Sequence, residues 1–339
     1  VKVRPNPKLS DVARAAGVSL STASRALSES ALVRLDTRER VRSVATMLGY
    51  LPHGAARALA TRRSRTVGAV FPPVDNPIFA SATHALGRVL AASGYTLLLA
   101  THEYDPAAEV QVSRALLERG VDGVVLVGLD HDPALVQMLM QAGVPYELTW
   151  SIDPSGFHHC TGVAHRLASI RLTQHLLDLG HREFAVIAGH VAHNDRARER
   201  LAGVREALAS RGIELRAERV VETGFALSEG RRGLRELLAR APGFSALLCG
   251  NDLQAIGALT ECLRSGIEVP GRVSIAGFDD IDMACETTPA LTTVHVPAAD
   301  LGRIAGERML ARLAGREVPR TREVPAELVL RESTGRPAT

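Results

Sequence analysis

The chain is almost without lysine: among 40 basic residues only Lys2 and Lys8 are lysines. Their confinement to the amino-terminal end excludes a P-loop lysine and a Schiff-base lysine from everything that follows. Neither a G-x-S-x-G nucleophile elbow nor a G-x-G-x-x-G dinucleotide fingerprint occurs, so the chain does not read as an enzyme. Cysteine is scarce as well. Cys160, Cys249, Cys262 and Cys285 are scattered with no C-x-x-C pair, which reads as reduced thiols and not as a disulfide or zinc framework. His158-His159-Cys160, with His190 and His193, falls in an expected loop and lacks a regular ligand spacing, so neither a metal nor a cofactor is expected. No apolar run approaches the ~18 residues of a membrane helix. The opening Val1-Lys2-Val3-Arg4-Pro5 passes into a polar amphipathic stretch without a signal-peptide core. The expectation is a cytoplasmic protein.

What the sequence does contain is a 339-residue chain with 46% apolar and 23% charged residues, the composition of a globular protein with a small module and a larger one. The charge is divided unevenly. Residues 1–65 hold 13 Lys/Arg against 4 Asp/Glu, a net of +9, and the remainder holds 27 against 33, a net of −6. A cationic head on an anionic body points to a polyanion as the partner of the head alone.

Helical periodicity separates this head from a solvated basic tail. Ser10 is placed to cap a short helix, Asp11–Ala16, with Leu9, Val12 and Ala16 on one side. Gly17-Val18 supplies a turn, and Ser19 caps a second helix through Leu27. A third covers Asp36–Leu48 and ends at Gly49, in the C′ position. Two short helices joined by a glycine turn, with a third in support, make a helix-turn-helix. Such a motif enters the major groove by the amino-terminal end of its second helix, which assigns Leu20, Ser21, Thr22, Ser24 and Arg25 to DNA. Arg25 suits guanine O6 and N7, and the hydroxyls suit phosphates or bases. The segment Leu51–Ala60, opened by Pro52, is made of small residues that would make a poor free-standing helix. It leads into Arg62-Arg63-Ser64-Arg65.

These residues resemble the LacI/GalR repressor family. The resemblance rests on Leu9-Ser10-Asp11-Val12-Ala13, Ala16-Gly17-Val18-Ser19, Ser21-Thr22-Ala23-Ser24-Arg25, Leu48-Gly49-Tyr50 and Pro52 through Leu59. It implies that Ser10, Tyr50, Ala56, Arg57 and Leu59 also contact DNA. It further implies that Pro52–Ala60 is a hinge helix paired with its twin in the minor groove, Leu59 wedging between base pairs. Ala23, Ser28, His53 and Arg34 depart from the family pattern, which leaves the operator sequence open.

From residue 66 strands and helices alternate. Strands are expected at Thr66–Phe71, Tyr95–Ala100, Val121–Gly128, Val144–Thr149, Phe184–Ala188, Arg219–Glu222, Ser245–Cys249 and Val273–Phe278. Near-continuous apolar strands separated by helices mean parallel sheets covered on both faces. The units suffice for two, hence two doubly wound lobes, with Leu291–Pro297, a helix to Ala314 and a strand near Leu328–Arg331 crossing between them. The expected division is a helix-turn-helix domain over 1–51, a hinge and linker over 52–65 and a two-lobed sensor and dimerisation domain over 66–339, the latter like a periplasmic binding protein.

Ligands of such sheets bind beyond the carboxyl ends of the strands. Residues found there are Asp75, Asn76, Ile78, Phe79, Trp150, Phe225, Asn251, Asp252, Asp279 and Asp280, with Arg200 in the helix over 196–211. An aromatic cleft with a few amide, carboxylate and guanidinium groups suits a small polar metabolite. A helix-capping role for Asp252 or Asp280, and a salt bridge from Arg200 to Asp279 or Glu199, are equally open. The resemblance extends here through Leu179-Gly180-His181-Arg182, Arg198 to Gly203, Gly250-Asn251-Asp252, Gly277 to Asp280 and Pro289 to Thr293. It implies effector contacts at Arg200, Asn251, Asp279 and an aromatic near Phe225. Gly162-Val163-Ala164-His165 departs from the family's aspartate-asparagine pair, removing a carboxylate and favouring a sugar acid over a neutral hexose, with Trp150 as a flat stacking face. The sequence thus predicts a metabolite-controlled DNA-binding regulator, with a corepressor-dependent, purine-type regulator as the alternative. A periplasmic sugar-binding protein is disfavoured by the basic head. No apolar heptads follow the last strand, which predicts a dimer rather than a tetramer.

Overall fold

The computed structural model describes residues 7–27, 32–51, 63–73 and 76–338, in two compact units, Val1–Arg65 and Thr66–Thr339. Ala56, Arg57 and Leu59 of the hinge segment lie outside the described residues, as do Ser28, His53 and Asp75.

The first unit holds three helices, α1 (Leu9–Ala15), α2 (Leu20–Leu27) and α3 (Leu35–Leu48). Alanines at 13, 16, 23, 26 and 45 let them approach closely around the buried Val12, Val33 and Val41. Helix α1 starts two residues earlier than the capping pattern suggests. Lys8 is its N-cap, because the Asp11 carboxylate accepts the Lys8 N–H at 2.9 Å, and Ser10 stands exposed in the first turn. Ser19 caps α2 as expected, its Oγ accepting the Thr22 N–H at 3.1 Å. Gly17 and Gly49 adopt φ of +65° and +68°, the left-handed region that glycine enters without a Cβ penalty.

The second unit consists of two parallel sheets. The first comprises β1 (Thr66–Phe71), β2 (Thr96–Thr101), β3 (Gly123–Val127), β4 (Tyr146–Trp150), β5 (Cys160–Gly162) and β11 (Thr321–Glu323), in the order β11-β5-β4-β3-β1-β2. The second comprises β6 (Phe184–Gly189), β7 (Val220–Thr223), β8 (Ala246–Cys249) and β9 (Ser274–Ala276), in the order β7-β6-β8-β9. Strand parity explains the double layering. In β1, Ala69 and Phe71 pack into one core while Val70 joins the opposite one, and Val186 and Ile187 of β6 divide in the same way. Helices α4 (Pro77–Ala92) and α12 (Ala298–Leu313) cover one face of the first sheet; α5 (Pro106–Glu118) and α6 (Pro133–Gln141) cover the other. Helices α4 and α12 meet backbone to backbone, for a Cβ on Gly302 would lie 2.0 Å from the Ala82 carbonyl oxygen. The second lobe carries α7 (His165–Asp178), α8 (Asp195–Ala209), α9 (Leu227–Arg240) and α10 (Asp252–Arg264), with the short α11 (Met283–Glu286) after β9.

The returning chain completes both lobes. Strand β10 (Thr293–His295) pairs antiparallel with β12 (Glu327–Val329). Helix α12 and β11 rejoin the first lobe, and Ser333 then donates from its Oγ to the Ile275 carbonyl of the second. Strands β5 and β11 were not anticipated. Each has three residues and little apolar content; β5 adds to the edge of β4, and β11 adds in turn to β5. The His158-His159-Cys160 run is therefore not all loop: Cys160 opens β5 and is fully buried. Among the described residues no helix is long and apolar enough to cross a membrane, and no group of three His, Cys, Asp or Glu is arranged to hold a metal ion.

Candidate functional site

In the head, packing decides which face of α2 is outward. Ala23 and Ala26 are buried against α1 and α3, so Leu20, Ser21, Ser24 and Arg25 face solvent, Leu20 at 55% exposure. Thr22 is half-buried, and its hydroxyl lies 2.8 Å from the Ser19 Oγ, within the cap. Tyr50 is half-buried against the core of the head. A helix amino terminus bearing hydroxyls and one guanidinium, on a domain with net +9, has the chemistry of a base-reading element.

In the second unit the carboxyl ends of the two sheets face each other across a cleft lined by Asn76, Ile78, Phe79, Tyr104, Trp150, Asn194, Arg196, Arg200, Phe225, Asn251 and Asp279. Of the residues that the sequence nominated, Asn76, Ile78, Phe79, Trp150, Arg200, Phe225, Asn251 and Asp279 are thus brought together, Asp252 and Asp280 are not, and their duties differ. Arg200 is held on several sides. Its Nε donates to His165 Nδ1 at 3.2 Å, Nη1 to the Gly250 carbonyl at 2.5 Å and Nη2 to Asp279 Oδ1 at 3.3 Å, and its plane stacks 3.8 Å from the centre of the Phe278 ring. The Arg200–Asp279 salt bridge left open by the sequence is present, whereas Glu199 pairs with Arg166. His165 Nε2 lies 2.9 Å from the Trp150 carbonyl. Since Nδ1 accepts from Arg200, the proton of the neutral ring sits on Nε2. Burial, then the Arg200 charge, depresses the His165 pKa and keeps the ring neutral.

Asn251 is the N-cap of α10. Its side-chain oxygen accepts the Gln254 N–H at 2.9 Å, and Nδ2 donates to the Phe225 carbonyl at 3.3 Å. The capping role therefore falls to Asn251, and neither Asp252 nor Asp280 caps a helix. Trp150 ends β4 instead of following it and adopts φ of +69°. It offers no free stacking face: it is 1% exposed, with Phe71 edge-on at 5.6 Å and Phe79 at 4.9 Å between ring centres. Ile78 and Phe79 are likewise buried.

Several cleft residues were missed. Tyr104 follows β2 and brings its ring to 5.4 Å from that of Phe225. Arg200 is not the only cation at the cleft, because Arg196 stands one turn earlier on α8. The i, i+4 spacing of the two arginines was the available signal. Arg196 Nη1 donates to Asp195 at 2.9 Å. Asp195 in turn accepts the Leu129 N–H at 3.2 Å and the Ser151 hydroxyl at 2.5 Å, so a carboxylate of one lobe clasps the backbone and a side chain of the other. Burial works against the Asp195 carboxylate, but Arg196, Ser151 and Leu129 more than offset it and hold its pKa below the usual range. Arg198 and Asp130 add a second, exposed bridge between the lobes.

Two carboxyls behind the cleft are shifted the other way. Burial raises Asp279 to about 6 against the pull of Arg200, and burial with the neighbouring Asp279 charge raises Asp252 to about 8. Asp252 lies 2.5 Å from the Thr293 hydroxyl and accepts the Ile281 N–H at 2.9 Å. A pKa above its unfolded value means that the folded state binds the extra proton. The corresponding stability is present at acid pH and is lost as pH rises through about 8. Asp252→Asn keeps an acceptor for Ile281 and a donor for Thr293. Thermal unfolding of this variant is expected to lose the fall in stability, up to about 1.4 kcal/mol per pH unit, that this carboxyl gives the wild type between its ordinary pKa of 3.8 and about 8. Parallel pH profiles for the two proteins would contradict this.

Comparison with known proteins agrees with both halves of this description. Residues 8–53 match the family model of bacterial regulatory proteins of the lacI family, and residues 173–334 match that of a periplasmic binding protein-like domain. The HTH-type transcriptional regulator GntR of Pseudomonas aeruginosa is 33% identical, covering 97% of this chain and 96% of its own length. The structure of the transcriptional regulator CelR in complex with cellobiose is 32% identical over 97% of this chain and 100% of that one, with a TM-score of 0.72. The lac repressor dimer bound to operator and an anti-inducer is 26% identical over 98% of this chain and 100% of that one, with a TM-score of 0.85. With three helices in a basic head and a two-lobed α/β unit following in sequence, the chain belongs to the lacI family of bacterial regulatory proteins and is a DNA-binding transcriptional regulator, not an enzyme.

Proposed function

We propose that this regulator acts in the cytoplasm as a dimer on a near-palindromic operator, and that a sugar or sugar acid bound in the interlobe cleft sets its affinity for that DNA. The dimer places two recognition helices in successive major grooves. The segment with Ala56, Arg57 and Leu59 pairs with its twin in the minor groove between them. The lac repressor dimer on operator and the cellobiose complex of CelR support the assembly and the ligand class by analogy.

The observation that carries the effector site is the clasp of Asp195 on Leu129 and Ser151, beside Arg196 and Arg200. The cavity they leave measures about 30 Å³, room for little more than a water. A metabolite therefore enters only by parting the lobes and replacing these contacts with its own. Its differential affinity for the two lobe angles is the free energy available to shift operator affinity, and the coupling is reciprocal. Arg196 and Arg200 favour a hydroxylated carboxylate, which accepts paired charge-assisted hydrogen bonds. Asp279 and the amide of Asn251 serve its hydroxyls.

A thermal-shift screen of the full chain against sugars, sugar acids and nucleobases tests the ligand class: stabilisation by a sugar acid is expected, and stabilisation by a purine alone would refute it. For the DNA side, Arg25→Ala is expected to lose about 1–3 kcal/mol at one base position of each half-site and to relax preference there. Equal loss across a panel of operator variants would make Arg25 a phosphate contact only.

A further inference from the structure

A second cavity, of about 850 Å³, opens at the opposite end of the first lobe, beside the amino ends of β4, β5 and β11. Its charge is unlike the rest of the second unit, where acidic residues outnumber basic ones by six. Arg312, Arg316 and Arg320 line it together with His159, and Arg308 stands behind with Glu147. Against these four guanidiniums are only Glu147, fully buried, and Glu317, so the wall carries a surplus of two positive charges.

The polar groups here are incompletely used. Glu147 Oε2 and His159 Nδ1 are buried atoms without a hydrogen-bond partner among the described residues. Arg312 donates to the Tyr146 carbonyl and stands 3.6 Å from Glu147; Arg320 donates to the Phe157 carbonyl at 3.1 Å. Burial, and after it the charges of Arg312 and Arg320, hold the His159 pKa near 4, which leaves the imidazole neutral. Leu139, Val144 and Phe157 give the same cavity an apolar wall.

We propose that this cavity is a second ligand site, distinct from the interlobe cleft, for a small organic phosphate with an apolar body. A phosphate monoester carries about −1.5 to −2 charges at neutral pH, which matches the surplus on the wall. Guanidiniums bind its oxygens in pairs, with a geometry that a monoanionic carboxylate satisfies less fully; Arg312 and Arg320 are anchored on backbone carbonyls, and Arg316 is exposed at the mouth. The site does not depend on the sugar-acid reading of the cleft.

Calorimetric titration of the full chain with phenyl phosphate tests it. Saturable binding of one molecule per chain is expected, stronger than that of benzoate and weakened at least about tenfold in Arg316→Ala. Arg316→Lys should fall between, having the charge without the fork, and Arg200→Ala should bind as the wild type does. Absence of saturable binding up to millimolar concentration would overturn the assignment, as would Arg316→Ala binding unchanged. Loss of binding in Arg200→Ala would move the anion to the interlobe cleft. If phenyl phosphate fails to bind while Arg316→Ala weakens operator affinity on every sequence and flattens its salt dependence, the arginines serve the DNA backbone instead and the small-ligand site is wrong.

Discussion

Replacing Arg308 by methionine is expected to destabilise the sensor unit by about 3–5 kcal/mol, the cost typical of breaking a buried ion pair by removing one partner. Glu147 is fully buried and Arg308 nearly so. Arg308 Nε lies 2.5 Å from Glu147 Oε1, and Nη2 donates to the Pro319 and Arg320 carbonyls at 2.8 and 3.1 Å. The pair fastens the returning helix α12 and the segment before β11 to β4, so its loss frees both from a strand 161 positions earlier in the chain. The variant strands a carboxylate with only the Thr161 hydroxyl, at 2.8 Å, and the more distant Arg312. Burial already raises the Glu147 pKa against the pull of Arg308. Without the arginine it rises further, so the variant is more stable at acid pH and weakens as pH rises. Denaturant unfolding at two pH values measures this. The double variant Glu147→Leu, Arg308→Met should recover most of the loss, because two apolar groups leave no stranded charge. A single variant with wild-type stability would show that the pair is solvated and of little consequence.

Arg200→Ala is expected to abolish the response to effector while operator binding in its absence survives. Truncating one member of a buried, hydrogen-bonded charge pair costs about 2–5 kcal/mol of binding where the ligand uses that pair, a loss of some tens to thousands of fold in Kd. The variant also leaves the Asp279 carboxyl, His165 Nδ1 and the Gly250 carbonyl without their donor. Asp279, held near 6 in part by Arg200, then titrates higher and becomes neutral at physiological pH. Arg200→Ala combined with Asp279→Asn is expected to be more stable than Arg200→Ala alone, because it removes the carboxyl that the single variant leaves without its partner. Calorimetry in which Arg200→Ala binds effector as tightly as the wild type would reduce Arg200 to a structural tie.

Legibility in the sequence followed the range of the interactions. Helix α2 could be read almost to the residue because its cap, Ser19, and its buried alanines lie within one turn of one another. The helix start at Lys8 was misplaced because two nearby oxygens compete for the same early N–H groups, and the Asp11 carboxylate closes on Lys8. The long strands were legible because both faces are buried and their apolar runs are continuous. Strands β5 and β11 carry no such run and exist only by extending the sheet edge, β5 on β4 and β11 on β5.

The sequence by itself determined the basic head, its helix-turn-helix, the two-lobed α/β body and the gathering of the nominated residues at the strand ends. These follow from local periodicity, caps and the rule that parallel sheets present ligands at their carboxyl ends. Only the tertiary structure decided what each cleft residue does. Trp150 became core because Phe71 and Phe79 close on it, and Asn251 became a cap. Tyr104 entered the cleft from a segment that no local pattern connects to it, and His165 came to stand against Arg200. Contacts across the lobes, such as Asp195 on Leu129 and on Ser151, join residues 66 and 44 positions apart. Such pairs are fixed by how two sheets face one another, and a single chain's periodicity carries no record of that.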